Sequence, residues 1–182
     1  MSSLVLGPLP KEVLLHSCCA PCSAAILEWL QQNGVRPTIF FYNPNIYPVK
    51  EYLIRKNELD RFAQSLGIRV IDGDYRHDLW RLAVIGLEKE PERGRRCLAC
   101  FKHRLLVTAE CAKREGIELY TTTLAGSRWK SAEQIREAAA HAKSLIPEST
   151  YWAVCRNDAV FCSKKTASTI SGTAAASFQW GI

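Results

Sequence analysis

Val13-Leu14-Leu15-His16-Ser17-Cys18-Cys19-Ala20-Pro21-Cys22 runs from a short apolar segment straight into a turn that carries three thiols. The apolar part reads as a buried strand over Glu12 to His16. A helix from about Ser23 to Gln32 follows, stopped by Asn33-Gly34. The same pattern repeats outward. Thr38 to Tyr42 is β-branched and aromatic, hence a second strand, and Pro44 and Pro48 then impose an irregular loop before a helix from about Val49 to Leu66. Ile68 to Ile71 reads as a third strand, with Asp72-Gly73-Asp74-Tyr75 turning at its carboxyl end. A helix over Asp78 to Leu87, a charged linker over Glu88 to Arg96 and a long helix from Cys97 to about Glu115 come next. Ile117 to Thr122 reads as a fourth strand and Ser131 to Lys143 as a last helix. Strands alternating with helices at these intervals predict an α/β fold, a mostly parallel sheet with helices on both faces. Sites in such folds lie beyond the carboxyl ends of the strands, where Cys18, Cys19, Cys22, Asn43, Asp74 and Thr123 all fall.

The 182 residues suit one globular domain, expected over residues 1–153, followed by a low-charge tail over residues 154–182. Thr166 to Ile182 holds no charged residue and is rich in Ala, Ser, Thr and Gly, so little ordered packing is expected of it. Lys and Arg outnumber Asp and Glu by 24 to 18, which fits either an anionic partner such as RNA or a plain basic soluble protein. No run approaches the ~18 apolar residues of a membrane span, and the first ten residues lack the basic start and apolar stretch of a signal peptide. The expected compartment is therefore the cytoplasm. In that reducing setting, neighbouring cysteines are metal ligands or redox groups rather than disulfides.

Five of the eight cysteines stand in two tight groups, Cys18, Cys19 and Cys22 after the first strand and Cys97 and Cys100 at the start of the long helix. Two residues between thiols is the spacing at which both bind one metal or one edge of a cluster, and a helix start lowers thiol pKa values. Four thiolates from two loops satisfy a [4Fe-4S] cluster or a tetrahedral zinc ion equally. Cys22 reads as an added ligand, a redox thiol or a helix-start residue. Packing alone gives no reason for five thiols at two loop edges, whereas lone Cys111 in mid-helix reads as a buried small residue. His16, at the end of an apolar strand, reads as a core histidine rather than a ligand. Arg93, Arg95, Arg96, Lys102, His103 and Arg104 surround the second pair, suited to holding phosphates or simply a solvated helix end. Tyr42, Tyr47, Tyr52 and Trp129 are either base-stacking rings or core.

Six stretches together resemble one family. They are His16-Ser17-Cys18-Cys19-Ala20-Pro21-Cys22, Tyr42-Asn43-Pro44-Asn45-Ile46-Tyr47-Pro48, Gly73-Asp74-Tyr75, Gly86-Leu87-Glu88 with Glu90-Pro91-Glu92, Arg96-Cys97-Leu98-Ala99-Cys100-Phe101, and Thr121-Thr122-Thr123-Leu124 with Lys130-Ser131-Ala132-Glu133-Gln134-Ile135. In that order they are similar to the QueH-type epoxyqueuosine reductases. The resemblance implies a Rossmann-like fold of the HUP type and reduction of epoxyqueuosine to queuosine at the wobble position of tRNA, with a separate electron donor. It implies that Cys18, Cys19, Cys97 and Cys100 ligate a [4Fe-4S] cluster. It further implies catalytic positions at Cys22 and Asp74, with Cys22, and more weakly Asp74, offered to an additional mononuclear iron.

The tail departs from the resemblance, which implies an ending with a Cys-x-Cys redox pair. This sequence has no Cys-x-Cys, and its last thiols, Cys155 and Cys162, stand seven apart. The expectation is a foreign, low-charge ending after about Ala153, with a cluster site that assembles and turnover that is impaired. A substitute pairing of Cys155 with Cys162 requires the loop to fold back. The competing class is a non-catalytic iron-sulfur or zinc RNA-binding module using the same thiols. An ATP-dependent tRNA thiolation enzyme of related fold would need a Gly-rich phosphate loop after the first strand, where Cys18 to Cys22 stands instead.

Overall fold

The structure, a computed structural model, describes residues 9–153. The tail and its Cys155 and Cys162 lie outside the described residues. Along the chain run β1 (Glu12–Ser17), α1 (Ala20–Gln32), β2 (Arg36–Phe41), α2 (Val49–Ser65), β3 (Val70–Asp72), α3 (His77–Ala83), α4 (Arg95–Glu115), β4 (Leu119–Thr122), a 3-10 turn (Thr123–Gly126), α5 (Ala132–Leu145) and β5 (Thr150–Tyr151). The strands form one sheet in the order β3-β2-β1-β4-β5, every pairing parallel. This is the doubly wound, Rossmann-like arrangement.

The side-chain period of two splits β1 between two cores. Val13 and Leu15 pack with Ile26, Leu27 and Leu30 of α1 and Leu59 and Ala63 of α2. Leu14 faces the other way, with Phe101, Leu105 and Ala109 of α4 and Ile135 and Ala138 of α5. The chain therefore leaves β1 toward one face of the sheet and β4 toward the other. The crevice between their carboxyl ends is the switch point at which such sheets hold ligands.

Several boundaries differ from the expected ones for local reasons. α1 begins at Ala20, with Pro21 tolerated in its first turn. β2 includes Pro37, which pairs only with Val13 of β1, because β3 reaches β2 no earlier than Ile39. The missing N-H of Pro37 costs no ladder bond on that side. α3 ends at Ala83 rather than Leu87, the chain turning through Gly86 at φ 76°. α4 starts at Arg95, inside the expected linker, so Cys97 lies in its first turn. Gly73 permits the close approach of β3 to β2, since a Cβ there would stand 2.8 Å from Tyr42 Cδ2.

Candidate metal centre

Cys18 follows β1 directly, and Cys19 is the last residue before α1. Cys22 sits in the first turn of α1 and is exposed. The sharp turn is tied from within, Ser23 Oγ donating to the Cys19 carbonyl at 2.8 Å while pairing with Ser17 Oγ. It is tied to the 3-10 turn after β4 by Thr123, whose Oγ1 accepts from the Cys18 N-H at 3.2 Å and donates to Cys18 Sγ at 3.3 Å. The three sulfurs of Cys18, Cys19 and Cys22 lie within 4.8 Å of one another. Cys18 and Cys19 are 3.8 Å apart, close to the edge of a tetrahedron whose centre binds sulfur at about 2.3 Å.

The three thiols share their protons unequally. Hydrogen bonds from Cys19 and Cys22 hold Cys18 well below the ordinary thiol range despite its burial, with Thr123 and Arg104 adding to the effect. Cys19 is pushed far up by its bond to Cys18, and the same partner pushes Cys22 up to about 11. Of the three, Cys18 is the one held toward its thiolate, with the other two thiols as its hydrogen-bond partners. A metal binding all three displaces the protons they hold. Sulfur donors in this spacing fit a thiophilic metal or cluster.

Cys97 and Cys100 are half-buried in the opening turns of α4. They do not belong to the group of sulfurs within 4.8 Å. α4 runs antiparallel to the strands, and Arg104, one turn beyond Cys100, reaches the ends of β1 and β2. Cys100 therefore lies about 6 Å further along the helix axis, on the carboxyl-edge side. Cys100 Sγ accepts a hydrogen bond from Trp80 Nε1 at 3.2 Å. Asp74, after β3, is exposed and also outside the thiol group.

His16 is fully buried. Its Nε2 lies 3.0 Å from the Tyr42 carbonyl, which can only accept, so Nε2 carries the proton and Nδ1 accepts from Thr122 Oγ1 at 2.7 Å. Burial first, then the charge of Arg104, pushes its pKa down to about 3. His16 is a neutral structural tie between three strand ends.

The cationic set divides. Arg93 binds the carbonyls of Arg128 and Trp129, and Arg95 pairs with Glu90, both at the surface. Arg104, expected among solvated or phosphate-facing cations, is instead buried, an outcome its charge conceals in sequence. Tyr42 and Tyr52 belong to the core, while Tyr47 is 74% and Trp129 56% exposed. Trp80 is a site residue that sequence reasoning missed. Nothing in its local pattern signals a bond to a thiol twenty positions away.

A doubly wound α/β domain with three thiols gathered at its switch point defines the class: an α/β protein whose sheet edge carries a sulfur group that could hold a metal. A family model described as "Epoxyqueuosine reductase QueH" matches residues 13–169. Curated proteins called "Epoxyqueuosine reductase QueH" are similar to this chain. That of Acinetobacter baylyi is 48% identical over 141 residues, covering 78% of this chain and 65% of its own. The Haemophilus influenzae protein is 47% identical over 142 residues, covering 78% and 58%, and the Thermotoga maritima protein 33% over 126 residues, covering 68% and 64%. The chain belongs to the epoxyqueuosine reductase QueH family. It spans about three fifths of the length of the curated relatives it matches.

Proposed function

We propose that this chain is an oxidoreductase of tRNA processing, reducing epoxyqueuosine to queuosine at the wobble position of tRNA. The observation that carries the reading is the thiol triad at the β1/β4 switch point of a chain in this family. In this reading Cys18, Cys19, Cys97 and Cys100 hold a [4Fe-4S] cluster. Cys22 and Asp74 are the catalytic candidates, facing an additional mononuclear iron. The work takes place in the cytoplasm, in an α/β domain over residues 1–153. No helix of the described residues is long and apolar enough to cross a membrane.

Opening the epoxide and expelling its oxygen as water consumes two electrons and two protons. The cluster, when bound, supplies electrons singly from a separate donor. The chain's own residues do the rest. Cys22, the exposed thiol of the three, is the one open to the substrate side of the turn. Asp74 follows β3, two strands away from β1, and offers a carboxylate on the same edge of the sheet. Locked between Thr122 and Tyr42, His16 holds its proton out of the exchange. Tyr47 and Trp129 present exposed rings for the bases beside the modified one, Trp129 with the Arg128 guanidinium 4.7 Å from its ring centre.

One geometric fact favours a second reading. The 3.8 Å between Cys18 and Cys19 sulfurs suits two ligands of one ion, as in a non-catalytic zinc or iron module. Anaerobic reconstitution with iron and sulfide, followed by single-turnover assay on RNA carrying epoxyqueuosine with a strong chemical reductant, separates the two. Conversion to queuosine is the expected result. A loaded protein that leaves the epoxide intact contradicts the reductase reading.

A further inference from the structure

Behind the thiols stands a charge that the reading above leaves unused. Arg104 is 3% exposed, and its Nε is buried without a hydrogen-bond partner. Its Nη2 donates to Asn43 Oδ1 and lies 3.3 Å from His16 Nε2. That second contact gives nothing back, because Nε2 already carries the proton it donates to Tyr42. Among the described residues no carboxylate lies within 4.0 Å of the guanidinium. Asn43 and the phenol of Tyr42, the latter held protonated up to about 12, are neutral, and His16 presents to the guanidinium the Nε2-H that it donates to the Tyr42 carbonyl. A buried cation faced only by neutral groups is costly and calls for an anion.

The anion in reach is the thiolate cage. Arg104 stands on α4 one turn after Cys100, on the face that meets the ends of β1 and β2. Asn43 Nδ2 donates to the Ser17 carbonyl at 2.8 Å, so the same network anchors the turn on which Cys18 sits. Four thiolates around a cluster carry net negative charge, and that charge grows by one when an electron enters.

We infer that Arg104 is the buried counter-cation of the thiolate cage, a positioning residue that stabilises the loaded centre and sets its reduction potential without touching substrate. The inference rests on the reading of the cage as a redox cluster site. A cation nearby stabilises the more negative, reduced form. Removing it therefore lowers the potential.

The test compares wild type with Arg104→Met and Arg104→Lys, each measured metal-free and after anaerobic reconstitution with iron and sulfide. Two readouts are taken, the rise in Tm on loading and the midpoint potential by redox titration. For Arg104→Met the rise on loading shrinks, and the reduction equilibrium falls at least tenfold, about 59 mV for one electron. Arg104→Lys, which keeps the charge, recovers most of the potential. A purely structural tie would lower the metal-free Tm, leave the rise on loading unchanged and leave the potential unmoved, and that pattern overturns the inference. Should Arg104→Met not fold, Arg104→Gln takes its place, and failure of both to fold metal-free also overturns it. A wild-type protein that takes up no iron or sulfide removes the cluster reading and the inference with it. A loaded wild type whose potential matches that of Arg104→Met removes the inference alone.

Discussion

Asn43→Ala in the metal-free protein is the sharpest probe of the network under the thiols. Asn43 is 1% exposed and makes two bonds, accepting from Arg104 Nη2 and donating to the Ser17 carbonyl at 2.8 Å. A hydrogen bond to a charged group contributes about 1.5–3 kcal/mol and one between neutral groups about 1 kcal/mol. The substitution should thus cost about 2.5–4 kcal/mol, with the larger part coming from a guanidinium left with no acceptor. In an Arg104→Met background the charge is gone, and the same change should cost only about 1 kcal/mol. The coupling between the two positions is then about 2 kcal/mol, well above the scatter expected of independent sites. Urea unfolding of the four proteins measures it, the m-value serving to confirm that the unfolded states are alike. Equal costs of Asn43→Ala in both backgrounds would refute the reasoning.

Metal-free stability should also fall in acid through His16. Its pKa is about 3 folded against 6.5 ordinarily, so the unfolded chain binds a proton first as pH drops; the stability is full above about 6.5 and has fallen by about 2 kcal/mol at pH 5. His16→Gln should flatten that part of the pH profile, and an unchanged slope would count against the buried neutral imidazole. Tyr47→Ala should weaken binding of anticodon-loop RNA roughly 5–150-fold, since a stacked base contributes about 1–3 kcal/mol, while leaving the Tm near wild type; titration by fluorescence anisotropy checks both. Gly73→Ala should cost about 1–3 kcal/mol in chemical denaturation, because its methyl would press the Tyr42 and Phe40 rings at 2.8–3.0 Å.

The architecture was legible wherever burial leaves a continuous pattern. β1 is a run of apolar residues because both its faces are covered, and the thiols that follow mark the switch point directly. The centre of β2 was legible but not its ends: the strand starts at Arg36 and stops at Phe41, and the place of Pro37 in it depends on how far β3 extends beside it. β5 was invisible, being two residues long and recognisable only through its pairing with Leu119 and Tyr120. The site shows the same division. Cys18, Cys19 and Cys22 are neighbours in sequence, so a single turn brings them together. Arg104 gave no such signal, since a charged residue near a helix end reads as surface. Its burial arises from Asn43 and His16, contributed by the ends of two other strands. Trp80 joins Cys100 only because α3 folds back on α4.

The central claim is that thiols from the β1 turn and from α4 hold one cluster. Iron and inorganic sulfide should be quantified after anaerobic reconstitution of wild type, Cys18→Ser, Cys97→Ser and Cys111→Ser, with the visible spectrum recorded alongside. The account predicts about four iron and four sulfide ions in one cluster per wild-type chain and in Cys111→Ser, with any mononuclear iron counted separately, and loss of the cluster absorbance in Cys18→Ser and Cys97→Ser. Full iron, sulfide and colour in Cys97→Ser would contradict it, leaving the Cys18, Cys19 and Cys22 triad to bind its metal without α4.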